Sequence, residues 1–273
     1  MLRLLGHGLA VLLLTLVTQI GGLAWLAALL LRRLLFRGSR RRGLVLLALF
    51  ALLYGGATVA LDAGTVTKRA SLPCWEDGRH PFVAASPIYC LLNRHYVTPG
   101  TYGAVASLAA RMNERFPGTL TQTLDAGFPF LTGFPLLPHI SHDDGRKLDL
   151  AFYYRDRQGR YRRGALASPL GYWGFTPPGP GEPQPCAGTA NWATLRWDMG
   201  WFHLLVDDDL VMDAERTKAA LQWLTTDGSR HGVTRLLLEP HLKSRLGLAS
   251  NSVRFQGCRA ARHDDHIHIE SRY

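Results

Sequence analysis

"PHISHDDGRKLDL", Pro138 to Leu150, is the stretch whose reading sets the fold. It runs into "KLDLAFYYRD", where apolar and polar residues alternate as on a strand with one buried face, and "RQGR" at 157–160 follows as a hairpin turn. Gly145 lies between His142 and Asp149, and a turn there would fold His142 back beside an aspartate carried by the strand. A second strand-like stretch, "ARHDDHIHIE" (261–270), crowds His263, His266 and His268 together with Asp264 and Asp265 between them. At a period of two, His266 and His268 point to the same face. Zinc accepts imidazole nitrogen and carboxylate oxygen at about 2.0–2.2 Å. A His and an Asp from a bent strand entry, with a His from a neighbouring strand, would make three ligands and leave a fourth position for water. A second imidazole beside them could take or give a proton during amide cleavage.

Outward from these stretches, "TPGTYGAVASLAARMNERFPG" has helical spacing, with Tyr102, Val105, Ala109, Met112 and Phe116 on the core side and Pro117-Gly118 as its stop. "TLTQTLDAGFPFL" alternates like a strand. Residues 164–188 read as a loop with six prolines between Pro169 and Pro185, either the border of a cleft or an ordered surface loop. A second amphipathic helix places Leu210, Ala214, Leu221 and Leu224 on one side; "VTRLLLEP" reads as a buried strand and "HLKSRLGL" as a short helix. Strands interleaved with few helices, without a βαβ rhythm, predict an α+β domain with a mostly antiparallel sheet.

No charged residue occurs from Gly8 to Leu31 or from Gly43 to Leu61. As helices these runs would span about 36 and 28 Å, against a hydrocarbon core of about 30 Å. Between them "RRLLFRGSRRR" carries six arginines, which the positive-inside rule keeps cytoplasmic, so both termini would lie on the far side. The competing reading makes the second run an internal signal sequence cleaved near Ala60 or Ala63; both readings export the rest of the chain. The formal charge of +10 does not point to nucleic acid: seven arginines and one aspartate in residues 1–62 supply +6 of it. All four cysteines follow the second run, as expected for two disulfides in an oxidising compartment. Cys74–Cys90 with Cys186–Cys258 is the favoured pairing, the first closing a short loop worth about 3 kcal/mol.

"SHDDGRKLD" is similar to the Ser-His-x-x-Gly-x-x-x-Asp signature of the LAS metallopeptidases, which unite lysostaphin-type enzymes, D-Ala-D-Ala carboxypeptidases and the hedgehog signalling domain. The terminal His-x-x-His-x-His and the upstream Pro-His-x-Ser-His most resemble the penicillin-insensitive murein endopeptidase branch, over roughly residues 120–270. The resemblance implies a LAS/hedgehog-like fold and one zinc ion on His142, Asp149 and His268. It also implies His266 as the catalytic histidine, with His263, His139 and Ser141 as auxiliary cleft residues. Asp265 stands where relatives carry a glutamate base, and is either a base acting through water or a surface acid. Lys147 occupies a position that is often small in the carboxypeptidase relatives. Hydropathy and charge, not the resemblance, give two transmembrane helices in residues 1–62, around a basic loop at 32–42. A linker and N-terminal extension at 63–98 would follow, then a zinc peptidase domain at 99–273. The implied activity is hydrolysis of peptidoglycan stem peptides or cross-links, by a domain facing the periplasm from the inner membrane. The alternatives are a D,D-carboxypeptidase on the same substrate class, or an inactive, metal-stabilised periplasmic binding module. His80, His95, His203, His231 and His241 have no such company and are expected to be structural.

Overall fold

A computed structural model describes residues 2–63, 67–189, 196 and 204–272. Three apolar helices come first: α1 (Leu2–Thr18), α2 (Gly21–Leu35) and α3 (Arg42–Asp62). There follow β1 (Ala70–Ser71), β2 (Phe82–Ala84), α4 (Pro87–Leu91), β3 (Tyr96–Val97), α5 (Pro99–Arg115), β4 (Thr121–Thr123), β5 (Lys147–Ala151) and β6 (Tyr154–Asp156). The chain closes with β7 (Leu210–Met212), α6 (Ala214–Thr225), β8 (Val233–Leu237), α7 (Pro240–Arg245), β9 (Val253–Arg254) and β10 (His266–Ser271).

Six strands form one sheet in the order β2-β4-β5-β10-β8-β9. The ladders β4–β5, β5–β10 and β10–β8 are antiparallel, whereas β2–β4 and β8–β9 are parallel. The domain is α+β as expected, and its sheet is antiparallel through its three central ladders but mixed, because both edge ladders are parallel. The reason lies in the connections: α5 lies between β2 and β4, and α7 between β8 and β9, and a helical crossover is what parallel pairing needs. Alternation along the central strands then sorts the two faces. Leu148, Leu150, Leu236, Ile267 and Ile269 join one buried cluster with Val105, Leu108 and Met112 of α5 and Leu221 and Leu224 of α6. Burying each such side chain contributes about 1.5–3 kcal/mol. Asp149, His266 and His268 alternate with these residues and so face the opposite side.

Helix α5 begins where its sequence says it should. The Thr98 side chain accepts from Thr101 N, Pro99 opens the first turn, and the chain leaves the helix through Gly118 at φ +82°. Val105, Ala109 and Met112 are buried, and Tyr102 and Phe116 pack half-buried beside them. Other expectations need correction. Leu210 belongs to β7, because Asp213 caps α6 by accepting from Arg216 N and the helix starts only after it. Of "TLTQTLDAGFPFL" only Thr121–Thr123 is strand. "KLDLAFYYRD" divides into β5 and β6, and β6 pairs with β7, leaving a single bridge, Arg155 to Tyr161, across the "RQGR" turn. The stretch read as a linker supplies β2 to the main sheet, and β1 pairs with β3. Both disulfides form as favoured, Cys74–Cys90 and Cys186–Cys258.

The two-helix membrane hairpin is also revised. The first apolar run is two helices, broken at Gln19, whose φ is +66°. Thr18 Oγ1 accepts from Gly21 N at 2.8 Å, replacing the helical partner that the break removes. Among the described helices only α3 is long and apolar enough to cross a membrane by length and composition, with a mean hydropathy of 2.3. Leucines nevertheless project outward from all three helices, among them Leu9, Leu12, Leu23, Leu30, Leu47 and Leu52.

Candidate metal centre and its cleft

The β5–β10 register sets Asp149 directly opposite His268, so the two side chains rise from one face as a cross-strand pair. His266, two residues along and opposite Ala151, rises from the same face. The turn before β5 supplies the third group. Gly145 sits at φ +74°, and a Cβ there would come within 3.1 Å of Arg69 Nε, so both its backbone and its neighbour suit glycine. Its carbonyl accepts from Thr98 N at 2.8 Å, which ties the turn to the start of α5. Lys147 fits by turning to the acids of the same turn, 3.4 Å from Asp144 Oδ2.

His142 thereby reaches Asp149 and His268 as the turn was expected to allow. His142 Nε2 lies 3.2 Å from His268 Nδ1 and 3.3 Å from Asp149 Oδ1, and His268 Nδ1 lies 2.8 Å from Asp149 Oδ1. Tetrahedral bonds of about 2.0–2.1 Å put ligand atoms about 3.3 Å apart, so these three donors already have the spacing of one face of a coordination tetrahedron. This buried group could hold a metal ion. The tautomer of His142 suits ligation as well. His142 Nδ1–H donates to the Ala126 carbonyl at 3.0 Å, leaving Nε2 its lone pair. His268 Nε2 faces Glu270 Oε1 at 3.6 Å, a charge contact beyond hydrogen-bond length, with Nδ1 turned to the other donors.

A surrounding layer holds the donors, and the sequence reading missed most of it. Tyr172 donates its hydroxyl to Asp149 Oδ2 at 2.7 Å, which frees Oδ1 for the shared centre. Asp125 is buried and accepts from Arg94 Nε and Nη2 at 2.6 and 2.7 Å. Its Oδ2 also meets His139 Nδ1 at 2.8 Å, which accounts for His139 as a member of this layer rather than a ligand. Burial alone would raise the Asp125 carboxyl, but Arg94 and His139 outweigh it and hold the group at about 2. Burial pushes the Tyr172 phenol well up, with the charges of Asp149 and Asp125 adding to it, so Tyr172 stays a donor. Asp149 is buried too, yet His142 and His266 hold its carboxyl well below the usual range. His142 is lowered by burial against the pull of Asp149.

His266 stands beside the trio, its Nε2 3.7 Å from Asp149 Oδ1. Its Nδ1 meets Asp265 Oδ1 at 2.5 Å, and Asp265 Oδ2 accepts from Trp173 N at 2.6 Å. Asp265 is therefore neither a surface acid nor aimed at the shared centre: it is 3 % exposed and fixes the ring of His266. Trp173 reaches it with φ +65°, a conformation that costs a bulky residue about 1–3 kcal/mol and sits at the cleft wall. Burial would lower His266, but Asp149 and Asp265 overcome that and push it up to about 9. His263 is buried against the His266 and His268 rings, at 5.0 and 5.5 Å between centroids, and burial with those two neighbours keeps it well below the usual histidine value.

The three donors line one cleft of about 490 Å³ together with His139, His263, Asp265 and His266, with the exposed Ser141 and the rings of Tyr172, Trp173 and Phe175 also on its wall, while Asp125 and Arg94 lie behind it. The proline-rich loop thus borders the cleft, which its composition left open. A second trio, Cys74, Cys90 and His95, also lies close together, but both its sulfurs are bonded to each other. The histidines expected to be structural each have a partner outside the trio: His95 meets Asp62 Oδ1, His241 meets the Thr176 carbonyl, His231 stacks on Trp223 and His80 meets Asp77. His203 lies outside the described residues. No protein-family model matches the chain, and no curated protein sequence is significantly similar to it.

Proposed function

We propose that this chain is a membrane-anchored zinc metallopeptidase of LAS type, hydrolysing amide bonds in peptidoglycan stem peptides or their cross-links. The observation that carries the reading is the spacing of His142 Nε2, Asp149 Oδ1 and His268 Nδ1, all within 3.3 Å of one another at the floor of an open cleft. Two imidazoles and a carboxylate are the donor set of catalytic zinc, whereas structural zinc sites are closed by four protein ligands, mostly thiolates. Zinc on these donors would supply Lewis acidity towards water and the scissile carbonyl. The protein's own part is positional. Tyr172 and Ala126 orient Asp149 and His142, and Asp265 holds His266 protonated so that Nε2 can donate to the developing oxyanion and give its proton to the leaving amine. With Asp149 engaged by a cation, Asp265 remains the partner that favours the protonated ring. The substrate class comes from the resemblance of "SHDDGRKLD" and "HDDHIH" to the murein endopeptidase branch. Two disulfides and the apolar α3 accord with a domain held at the inner membrane and facing the periplasm.

The test is digestion of purified sacculi by the full-length protein in detergent. Cross-linked muropeptides should be lost, the loss should stop after chelation, and zinc should restore it. Release of free D-Ala with cross-links intact would make it a carboxypeptidase instead. No change in the sacculi under any condition would reject the peptidase reading.

A further inference from the structure

We propose that α1 and α2 cross the bilayer beside α3, and that the folded domain beds into the outer leaflet through Ile88, Leu91, Phe130 and Leu131. This rests on the membrane placement proposed above and extends it from one anchoring helix to a seated domain.

The three helices form an up-down-up bundle. Going forward along α2, its contacts go backward along α1. A Cβ on Gly21 would meet Thr18 and Leu14, one on Gly22 would meet Thr15 and Val11, and the Trp25 ring lies 5.9 Å from that of His7. Small residues allow this close approach, as between membrane helices. Trp25 in turn lies 5.4 Å from Phe50 of α3. Arg3 at the start of α1, Arg32 and Arg33 at the end of α2, and Arg37, Arg40, Arg41 and Arg42 before and at the start of α3 then all fall at one end. Every arginine of the first 62 residues is thus on the side that the positive-inside rule makes cytoplasmic.

The lengths of the helices place the domain. At 17 and 15 residues, α1 and α2 span about 26 and 22 Å, less than a hydrocarbon core of about 30 Å. The charge-free part of α3, 43–61, spans about 28 Å, so its last turns must lie in hydrocarbon above the α1–α2 turn. There the domain takes over as the neighbour of α3. Tyr54 donates to the Leu91 carbonyl and accepts from Asn93 Nδ2 at 3.0 Å, while Asp62, eight residues on, accepts from Tyr96 OH at 2.6 Å. At the turn itself, Gln19 is buried and its Oε1 accepts from Phe130 N at 2.9 Å. Around these joints the domain exposes large apolar side chains, with Leu91 61 % and Leu131 57 % accessible. Lipid is the occupant that these side chains fit, since they continue the apolar surface of the bundle at the level where α3 still requires hydrocarbon.

Two measurements on the full-length chain test this. In spheroplasts, a membrane-impermeant maleimide should label Gln158→Cys at once, and Leu2→Cys and Gly38→Cys only after permeabilisation. Labelling of Leu2→Cys from outside, with Gly38→Cys protected, overturns the crossing of α1 and α2 alone; outside labelling of Gly38→Cys as well overturns the membrane placement itself. In vesicles of phosphatidylethanolamine and phosphatidylglycerol, nitroxides at Leu91→Cys and Leu131→Cys should relax with dissolved oxygen and be shielded from a water-soluble nickel chelate. Nickel access at both sites equal to that at Gln158→Cys would overturn the seating. Neither readout depends on catalysis, so neither can fail because the peptidase reading fails.

Discussion

Alanine at His142 or at His268 is expected to strip the metal from the protein and to leave sacculus hydrolysis at background. Each substitution removes one of only three protein donors, and the two that remain are held by the sheet and by the turn tied to the start of α5. Metal content should fall from about one zinc per chain to less than about a tenth after dialysis, because the affinity of such a site comes from its full ligand set. The fold should survive. Both side chains lie on the cleft face, whereas the apolar core of Leu148, Leu150, Ile267 and Ile269 lies on the other. Elemental analysis of variants that keep the wild-type melting profile in apo form would check this; full zinc occupancy in either variant would remove it from the ligand set.

Asp265→Asn is expected to do the opposite, keeping the metal and losing turnover. The carboxylate meets His266 Nδ1 at 2.5 Å and Trp173 N at 2.6 Å, and touches none of the three donors by hydrogen bond. Its removal leaves the ring free to adopt the wrong tautomer and takes away a charge that favours the imidazolium. A His–carboxylate dyad loses about 10²–10⁴ in kcat on such a change, or about 3–5 kcal/mol of barrier. The pH profile carries the sign. Asp265 helps to raise His266 to about 9, so without it the ring gives up its proton at lower pH. The alkaline limb of kcat should therefore move to lower pH. A uniform loss of activity with an unmoved limb would mean that Asp265 only supports the fold.

The trio that could hold a metal ion was legible because it rests on local rules. A period-2 strand carries Asp149, a second carries His268 with His266 on the same face, and a glycine turn returns His142 to them. What the sequence could not convey is which distant groups hold those side chains. Asp125 gains its role only from Arg94, 31 residues away, and from His139, while Tyr172 comes from a loop with no periodicity. The choice between base and surface acid stays open for Asp265 in the sequence, because strand alternation says only that it faces away from His268. It precedes β10, where the ladder has not begun and its side chain can turn back to His266. The first apolar run was read as one helix because it lacks charge. Its break is written in Gly21-Gly22 after Gln19, a punctuation that hydropathy does not register. The parallel edges of the sheet were hidden for a similar reason, since β2 and β9 are three and two residues long and leave almost no pattern.

X-ray absorption at the zinc edge of the reconstituted full-length protein tests the central claim most directly. The expected first shell is nitrogen and oxygen at about 2.0–2.1 Å with the outer-ring scattering of two imidazoles, matching His142, His268 and Asp149. A shell containing sulfur, or one without imidazole, would contradict it.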